Sequence, residues 1–353
     1  MKLYGKFKVI VILLFFGTVL RLTYLFASDI WRVDLFFYIE AARTMLDGGV
    51  LYKHFGDSHP TLGYFEFFWM AKLFGYENIY LTIKVFTIVF QTVMAFLVYL
   101  IFSRIHTPGK GLVYALLFIV ILTVDVNLWP HNIPFTYLLP VFAGIFFLLK
   151  DDFKPGVASL FLAGIMFACA TLISTNVIFY TLLVPIVTSM NYGFKMKYIL
   201  RDGIAAFTGF LIPFFIFAVY FYLNDALGDW YFWGIISAST YSGYKSGYMN
   251  IVNLFYGLIK LWRWTPFIIL TFFALYKILK DKLYKSDRYL FFVLGVLICA
   301  FLSKYIMNKS VIRYNLYLLP GIIFSLDAGF TFLKDKYKKF YIIITSIFIV
   351  VIL

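Results

Sequence analysis

Charge is scarce in this chain: 14% of its 353 residues are Asp, Glu, Lys or Arg, where a soluble domain carries roughly 25%. With 63% apolar residues and a mean hydropathy of +0.89, the shortfall excludes an ordinary soluble fold. Cysteine is scarcer still. Cys169 and Cys299 stand far apart in separate apolar runs, with no His or Cys at ligand spacing. That excludes a disulfide framework and a zinc site and leaves small apolar filler. No Gly-rich phosphate loop, H-E-x-x-H or G-x-S-x-G occurs, and no low-complexity tract, soluble domain or convincing internal repeat stands out. The alternating pattern of a membrane β-barrel is missing as well.

What is present is a series of apolar runs, several of them near the roughly 20 residues that cross a bilayer. They predict an all-α polytopic membrane protein, a single transmembrane domain over residues 1–353. About eleven transmembrane helices are expected, near 8–28, 79–103, 110–126, 133–149, 156–173, 176–190, 203–223, 262–279, 289–306, 314–333 and 340–353. The split at 173–176 rests on the polar run "STN". Lys2, Lys6 and Lys8 precede the first run, but Leu25-Phe26-Ala27 lacks the small residue that begins a cleavage site, so the run reads as an uncleaved anchor.

Positive charge favours cytoplasmic loops. With the N-terminus inside, segments 1–8, 104–110, 150–155, 191–202, 277–288 and 334–339 hold 19 of the 31 basic residues. The net charge of +14 is therefore topological and calls for no nucleic-acid partner. Residues 29–78, Asp125–Asn132, 224–261 and Ser303–Arg313 then face outward.

The outer stretch "DLFFYIEAARTMLDGGVLYKHFGDSHPTLGYF" (Asp34–Phe65) gathers polar residues that the rest of the chain avoids. Leu35, Ile39, Ala42 and Leu46 recur at helical spacing, with Asp34, Tyr38 and Ala41 on a neighbouring face. Ser28 or Asp29 can cap the start, and Gly48-Gly49 can end it. A second helix is expected from Pro60 to just before Gly75. Two interfacial helices joined by the turn "YKHFGDSHP" make a cavity wall.

Each candidate residue has a plainer reading beside it. Asp34 suits a helix start, where the dipole favours a carboxylate, and turns favour Asp57. Asp57 can hold His59 or an acceptor hydroxyl. The two can also approach a divalent ion, for which no third ligand is evident, so no cofactor is expected. Glu66 sits in "GYFEFFW", where a pairing with Lys72 or a distant Arg would offset its burial. Asp125 lies at the outer end of the third span, a functional position by default and also a loop position. Lys304, Lys309 and Arg313 run against the positive-inside trend, which suits an anionic partner or snorkelling to lipid headgroups. Arg21 can join that cluster. Asn308-Lys309-Ser310 fits a weak glycosylation acceptor pattern. "STYSGYKSGY" (Ser239–Tyr248) suits sugar stacking or, better, the interfacial aromatic belt.

The pattern "D…YIEAARTMLDGGVLY…D.HP", from Asp34 to Pro60, resembles the first outer loop of the GT-C membrane glycosyltransferases. The nearest likeness is to the protein O-mannosyltransferase, lipid A aminoarabinose transferase and rhizobial lipopolysaccharide sugar transferase branch. Arg313-Tyr314, with "LYLLPG" following from Leu316, is similar to that branch's late arginine-tyrosine and proline motif, and "LRL" at Leu20–Leu22 to the end of its first span. The resemblance implies a GT-C-like helix bundle that takes a sugar from a polyprenyl phosphate donor and passes it to a lipid, glycan or protein acceptor. It implies a first-loop acid, here Asp34, and a second acid near the third span, here Asp125. Three positions depart from the pattern: Leu35 replaces a second acid, Thr61 replaces a second proline, and "STN" at Ser174–Asn176 replaces a lysine.

The chemistry agrees with that implication. Outside the membrane there is no nucleotide sugar, and a lipid phosphate sugar arrives already activated. Its phosphate leaves without a proton, so one base suffices, whereas a glycosidase needs two carboxylates. Cations stabilise the departing charge. The expected roles are catalytic for Asp34 and Asp125, and substrate-binding for Tyr38, Tyr52, Lys53, Asp57, His59, Lys304, Lys309, Arg313 and Tyr314. The rival is a membrane transporter or lipid flippase, which would place polar groups near the bilayer midplane, often with repeat symmetry. A non-catalytic scaffold is the third reading.

Overall fold

A computed structural model describes residues 3–22, 33–124, 136–240, 252, 253, 256, 265–307 and 312–336. Of the described residues 88% are helical and none forms a strand. In chain order the main helices are α1 (Leu3–Val19), α2 (Val33–Leu46), α3 (Thr61–Phe74), α4 (Ile79–Ile105), α5 (Pro108–Val124), α6 (Leu138–Leu148), α7 (Val157–Ile173), α8 (Leu183–Tyr192), α9 (Met196–Leu223), α10 (Thr265–Lys280), α11 (Arg288–Met307) and α12 (Leu319–Lys336).

The expected eleven spans are not confirmed among the described residues. Four stretches among the described residues are long and apolar enough to cross a bilayer: Tyr76–Ile105, Met196–Leu223, Arg288–Met307 and Asn315–Lys334. They suggest an all-α membrane protein. Helices α5, α6 and α7 are apolar but shorter. The run expected at 340–353 lies outside the described residues. The broad apolar exposure of α9, with Ile204, Phe207, Phe215 and Leu223 all turned outward, is what a lipid-facing surface requires and a soluble monomer avoids.

The expected break at "STN" is present. Helix α7 ends at Ile173, Ser174 is extended, and a 3-10 stretch, Thr175–Leu182, leads into α8. The chain then returns along α7, because Asn191 donates to the Phe153 carbonyl. It reverses again into α9, where Thr188 donates to Asp202 at 2.9 Å. Helices α7 and α9 meet backbone to backbone. A methyl group on Gly164 would lie 1.9 Å from the Ala206 oxygen, and one on Gly209 would lie 2.0 Å from the Phe161 oxygen. Small residues permit such contacts between helices that hydrophobic exclusion does not drive together.

These reversals sort the chain into two ends. At one end lie the α4–α5 turn, residues 149–156, the α8–α9 turn and the start of α11, tied by Arg104 to the Phe146 carbonyl and by His106 to Asp327. This is the basic end. There Asp151, Asp152 and Phe153 have φ of 51°, 56° and 63°, three left-handed residues in a row. Each costs roughly 1–2 kcal/mol outside glycine. At the other end stand α2, α3 and the residues after α9. The described apolar residues accordingly form two cores, a large one between the bundle helices and a smaller one at the loop end.

Candidate functional site

The loop end is built from locally dictated pieces. Helix α2 buries Leu35, Tyr38, Ile39, Ala41, Ala42 and Met45. Leu46, expected on that face, is exposed, and Met45 takes its place one residue earlier. The helix closes as expected on Gly48-Gly49. The Gly49 amide donates to the Thr44 carbonyl at 2.8 Å and the Gly48 amide to the Met45 carbonyl at 3.3 Å, with Gly48 at φ 87°. This pairing is the Schellman motif, which needs a residue without a Cβ at its left-handed position. Helix α3 starts directly after Pro60 and ends at Gly75, φ 86°. The ring of Tyr38 stacks on that of Tyr64 at 4.6 Å, fastening α2 to α3.

Between the two helices the turn folds back on this aromatic core. Tyr52 is buried, at φ 67°, and its hydroxyl donates to the His59 carbonyl at 2.6 Å. Burial pushes the Tyr52 phenol well above its usual range, so it stays a donor. The buried Thr61 hydroxyl accepts from Trp230 Nε1 at 2.8 Å, joining the loop to the segment after α9. Ser58 Oγ meets Ser237 Oγ at 2.7 Å, a second tie to that segment.

Asp57 is the electrostatic centre of the turn. Its Oδ2 accepts from His59 Nδ1 at 2.9 Å and from the Tyr64 hydroxyl, and its Oδ1 accepts from the Ser58 amide at 2.7 Å. Partial burial opposes its charge. The hydrogen bond and attraction of His59, with the bonds from Tyr64 and Ser58, outweigh that penalty and hold the carboxyl below its ordinary value. The contact with Asp57 through Nδ1 fixes the orientation of the His59 ring. The His59 ring lies 5.4 Å from that of Tyr38.

The expected pairing of Glu66 is corrected, and the snorkelling alternative for Lys304 is set aside. Glu66 accepts from the Thr136 hydroxyl at 2.9 Å, while Lys72 extends over the rings of Phe68 and Trp69, 5.3 and 5.2 Å from their centroids. Burial pushes the Glu66 carboxyl up to about 8, against the pull of Thr136. Desolvation favours the neutral form there, so no cation is needed. Lys304 does not snorkel to a headgroup layer. It is 2% exposed in the last turn of α11, beside the buried Ser303.

The remaining expected residues fall as follows. Lys53 donates to the Asn224 carbonyl at 3.0 Å, just past the end of α9. Asp34 stands in the first turn of α2, one turn before Tyr38, and Arg313 and Tyr314 stand in a 3-10 stretch, Ile312–Leu318. The side chains of these three lie outside the described residues, as do Asp125 and Lys309 entirely and the aromatic run from 241 to 248. Arg21 is buried on Gln91 Oε1 between α1, α4 and α5.

Residues to which the sequence reading gave no role in the site complete the end. Thr175 Oγ1 reaches the Ala238 carbonyl at 3.5 Å, and Asn176 donates to Met307 Sδ at 2.8 Å. Ser174 Oγ meets the Tyr317 hydroxyl at 2.5 Å, and Tyr180 donates to the Tyr317 carbonyl at 2.9 Å. A line of contacts therefore runs from the Asp57 turn through Ser58–Ser237, Ala238–Thr175 and Asn176–Met307 to the turn of α11 that carries Lys304. The polar run "STN" was the one sequence signal for it; Trp230 and Ser237 carried none. Comparison of the chain with protein-family models and with curated proteins finds no match.

Proposed function

We propose that the chain is an inverting membrane glycosyltransferase that moves a sugar from a polyprenyl phosphate donor to a hydroxyl acceptor on the outer face of the membrane, with its N-terminus in the cytoplasm. Asp34 is the general base. Asp57 and His59 position the acceptor, and Asp125 tunes the base. Lys304, Lys309 and Arg313 hold the carrier phosphate, and Tyr314 completes that side. Attack of the acceptor oxygen on the anomeric carbon expels the phosphate as an anion, and the acceptor proton passes to Asp34. Direct displacement inverts the anomeric centre.

The observation that carries this reading is the line of contacts from the Asp57–His59 turn to the α11 turn of Lys304. It brings a carboxylate–histidine pair and a buried cation to one end of a bundle of apolar helices. A base and a phosphate-stabilising cation must share an end if one donor is to meet both. The second reading, a transporter or flippase, draws on Arg21, buried against Gln91 inside the bundle, since ionisable groups within a membrane mark pathways as well as catalytic sites.

The test supplies radiolabelled polyprenyl phosphate sugar and membrane extract to the purified protein. Transfer that falls by about 10²–10⁴ in Asp34→Asn, at unchanged protein level, supports the enzyme. Undiminished transfer in the variant, or none from the wild type, overturns it. Movement of the labelled lipid between leaflets without sugar transfer supports the transporter.

A further inference from the structure

The basic end holds a cavity of about 480 Å³ that the transfer reaction does not use. Helix α4 carries the loop core at its first residue and Arg104 at its last turn. At 1.5 Å per residue the two ends of α4 stand roughly 40 Å apart. Its polar lining combines Arg104 and Arg288 with Asp152 and Asp287. Arg104 is held in place. Its guanidinium lies 4.2 Å from the centroid of the Phe146 ring and donates to the Phe146 carbonyl at 3.1 Å. Asp287 Oδ1 caps α11 by accepting from the Leu290 amide at 3.2 Å. Asp152 and Arg288 are exposed, and Asp152 sits in the strained left-handed turn.

Two cations and two acids on one cavity do not suit a simple anion, which the acids would repel. They suit a ligand that carries both signs. Ser286 and Tyr289 complete the polar lining. The rest of the wall includes Ile105, Leu149 and Phe153, apolar groups that suit methylene and glycerol carbons. The cavity also opens where the apolar helices α4 and α6 end and α11 begins, and in a membrane protein helix ends meet the lipid headgroups.

We propose that this cavity binds the headgroup of a zwitterionic phospholipid, its phosphate against Arg104 and Arg288 and its ammonium against Asp152 and Asp287. A primary ammonium donates hydrogen bonds to carboxylates. A quaternary one does not, so an ethanolamine headgroup is preferred over choline. This binding is independent of the transfer activity.

The full chain in detergent is titrated with phosphatidylethanolamine, phosphatidylcholine and phosphatidylglycerol of identical acyl chains, and bound lipid is counted by native mass spectrometry. Phosphatidylethanolamine is retained about tenfold more tightly than phosphatidylcholine, the equivalent of one charge-assisted hydrogen bond. Arg288→Gln weakens both about tenfold. Asp152→Asn, which keeps a residue tolerant of left-handed φ, removes the difference between them while leaving phosphate binding. Soluble O-phosphoethanolamine at equal concentration does not displace the lipid. Equal retention of all three lipids, tighter retention of phosphatidylglycerol, or variants that change nothing overturn the site. Full displacement by the soluble ester overturns the lipid in favour of the free ester.

Discussion

The two ends of the bundle each carry an Asp–His–Tyr trio, and the trios are assembled differently. At the loop end Asp57 takes hydrogen bonds from His59 and Tyr64, all within one turn and the helix after it. At the basic end Asp327 of α12 meets His106 Nε2 at 2.7 Å and the Tyr289 hydroxyl at 2.5 Å, joining three helices. Asp57 is half-buried and held low by three donors. Asp327 is buried, and its Oδ1 has no hydrogen-bond partner among the described residues. One trio shapes a local turn. The other is a clamp between helices.

If that contrast is right, the clamp is the costlier to remove. Asp327→Ala leaves a half-buried phenol and imidazole without their buried acceptor, and the expected loss is about 3–5 kcal/mol, the scale for breaking a buried pair. Thermal unfolding in detergent reads it. A loss no larger than that of Asp57→Asn would break the comparison.

Asp57→Asn comes next, at about 1.5–3 kcal/mol, the scale for hydrogen bonds to a charged group. Its effect depends on pH. The folded carboxyl is held below its ordinary 3.8, so its stabilisation is present above that value and is lost as pH falls through the lower folded value. The difference between wild type and variant is full near neutrality and closes in acid. A difference constant with pH would mean that packing, and not the carboxylate charge, carries the turn.

These two sites also differ in how far the sequence reveals them. "DSHP" places Asp57 two residues from His59, and glycine and proline mark the ends of α2 and α3, because caps and turns are decided by neighbours along the chain. The clamp is invisible in the same terms: His106 and Asp327 are 221 residues apart, and no periodicity links them. Glu66 finds Thr136 for the same reason, 70 residues on, where charge alone suggested Lys72. Lys304 reads as an outward cation because it follows an apolar run; its burial comes from helices that pack around α11 and leave no mark in its own segment. The membrane character was legible in composition, but helix bounds were less so, since among the described residues of the run 133–149 only Leu138–Leu148 forms the long α-helix.

Glu66 sharpens the comparison as a loop-end carboxyl whose pKa is shifted the opposite way. Its folded pKa is raised from 4.5 to about 8. Between these values the folded chain keeps a proton that the unfolded chain has released, so stability falls as pH rises. Glu66→Gln removes that slope. The variant gains on the wild type from pH 4.5 to about 8, read by unfolding at a series of pH values. Parallel curves would show that Glu66 is ionised in the fold.

The smallest expected effect on stability separates structure from binding at Lys53. Its ammonium donates to the Asn224 carbonyl, one of the carbonyls left over at the end of α9, where the helix dipole also favours a cation. The residue is exposed, so water replaces the lost contact, and Lys53→Ala costs no more than about 0.5 kcal/mol. That small cost makes the variant a clean probe. If Lys53 serves only the α9 terminus, the variant unfolds like the wild type and transfers sugar with unchanged KM. If Lys53 leaves that carbonyl to meet the substrate, KM rises while unfolding stays the same, and the loop end then contributes a cation of its own beside the Asp57–His59 pair.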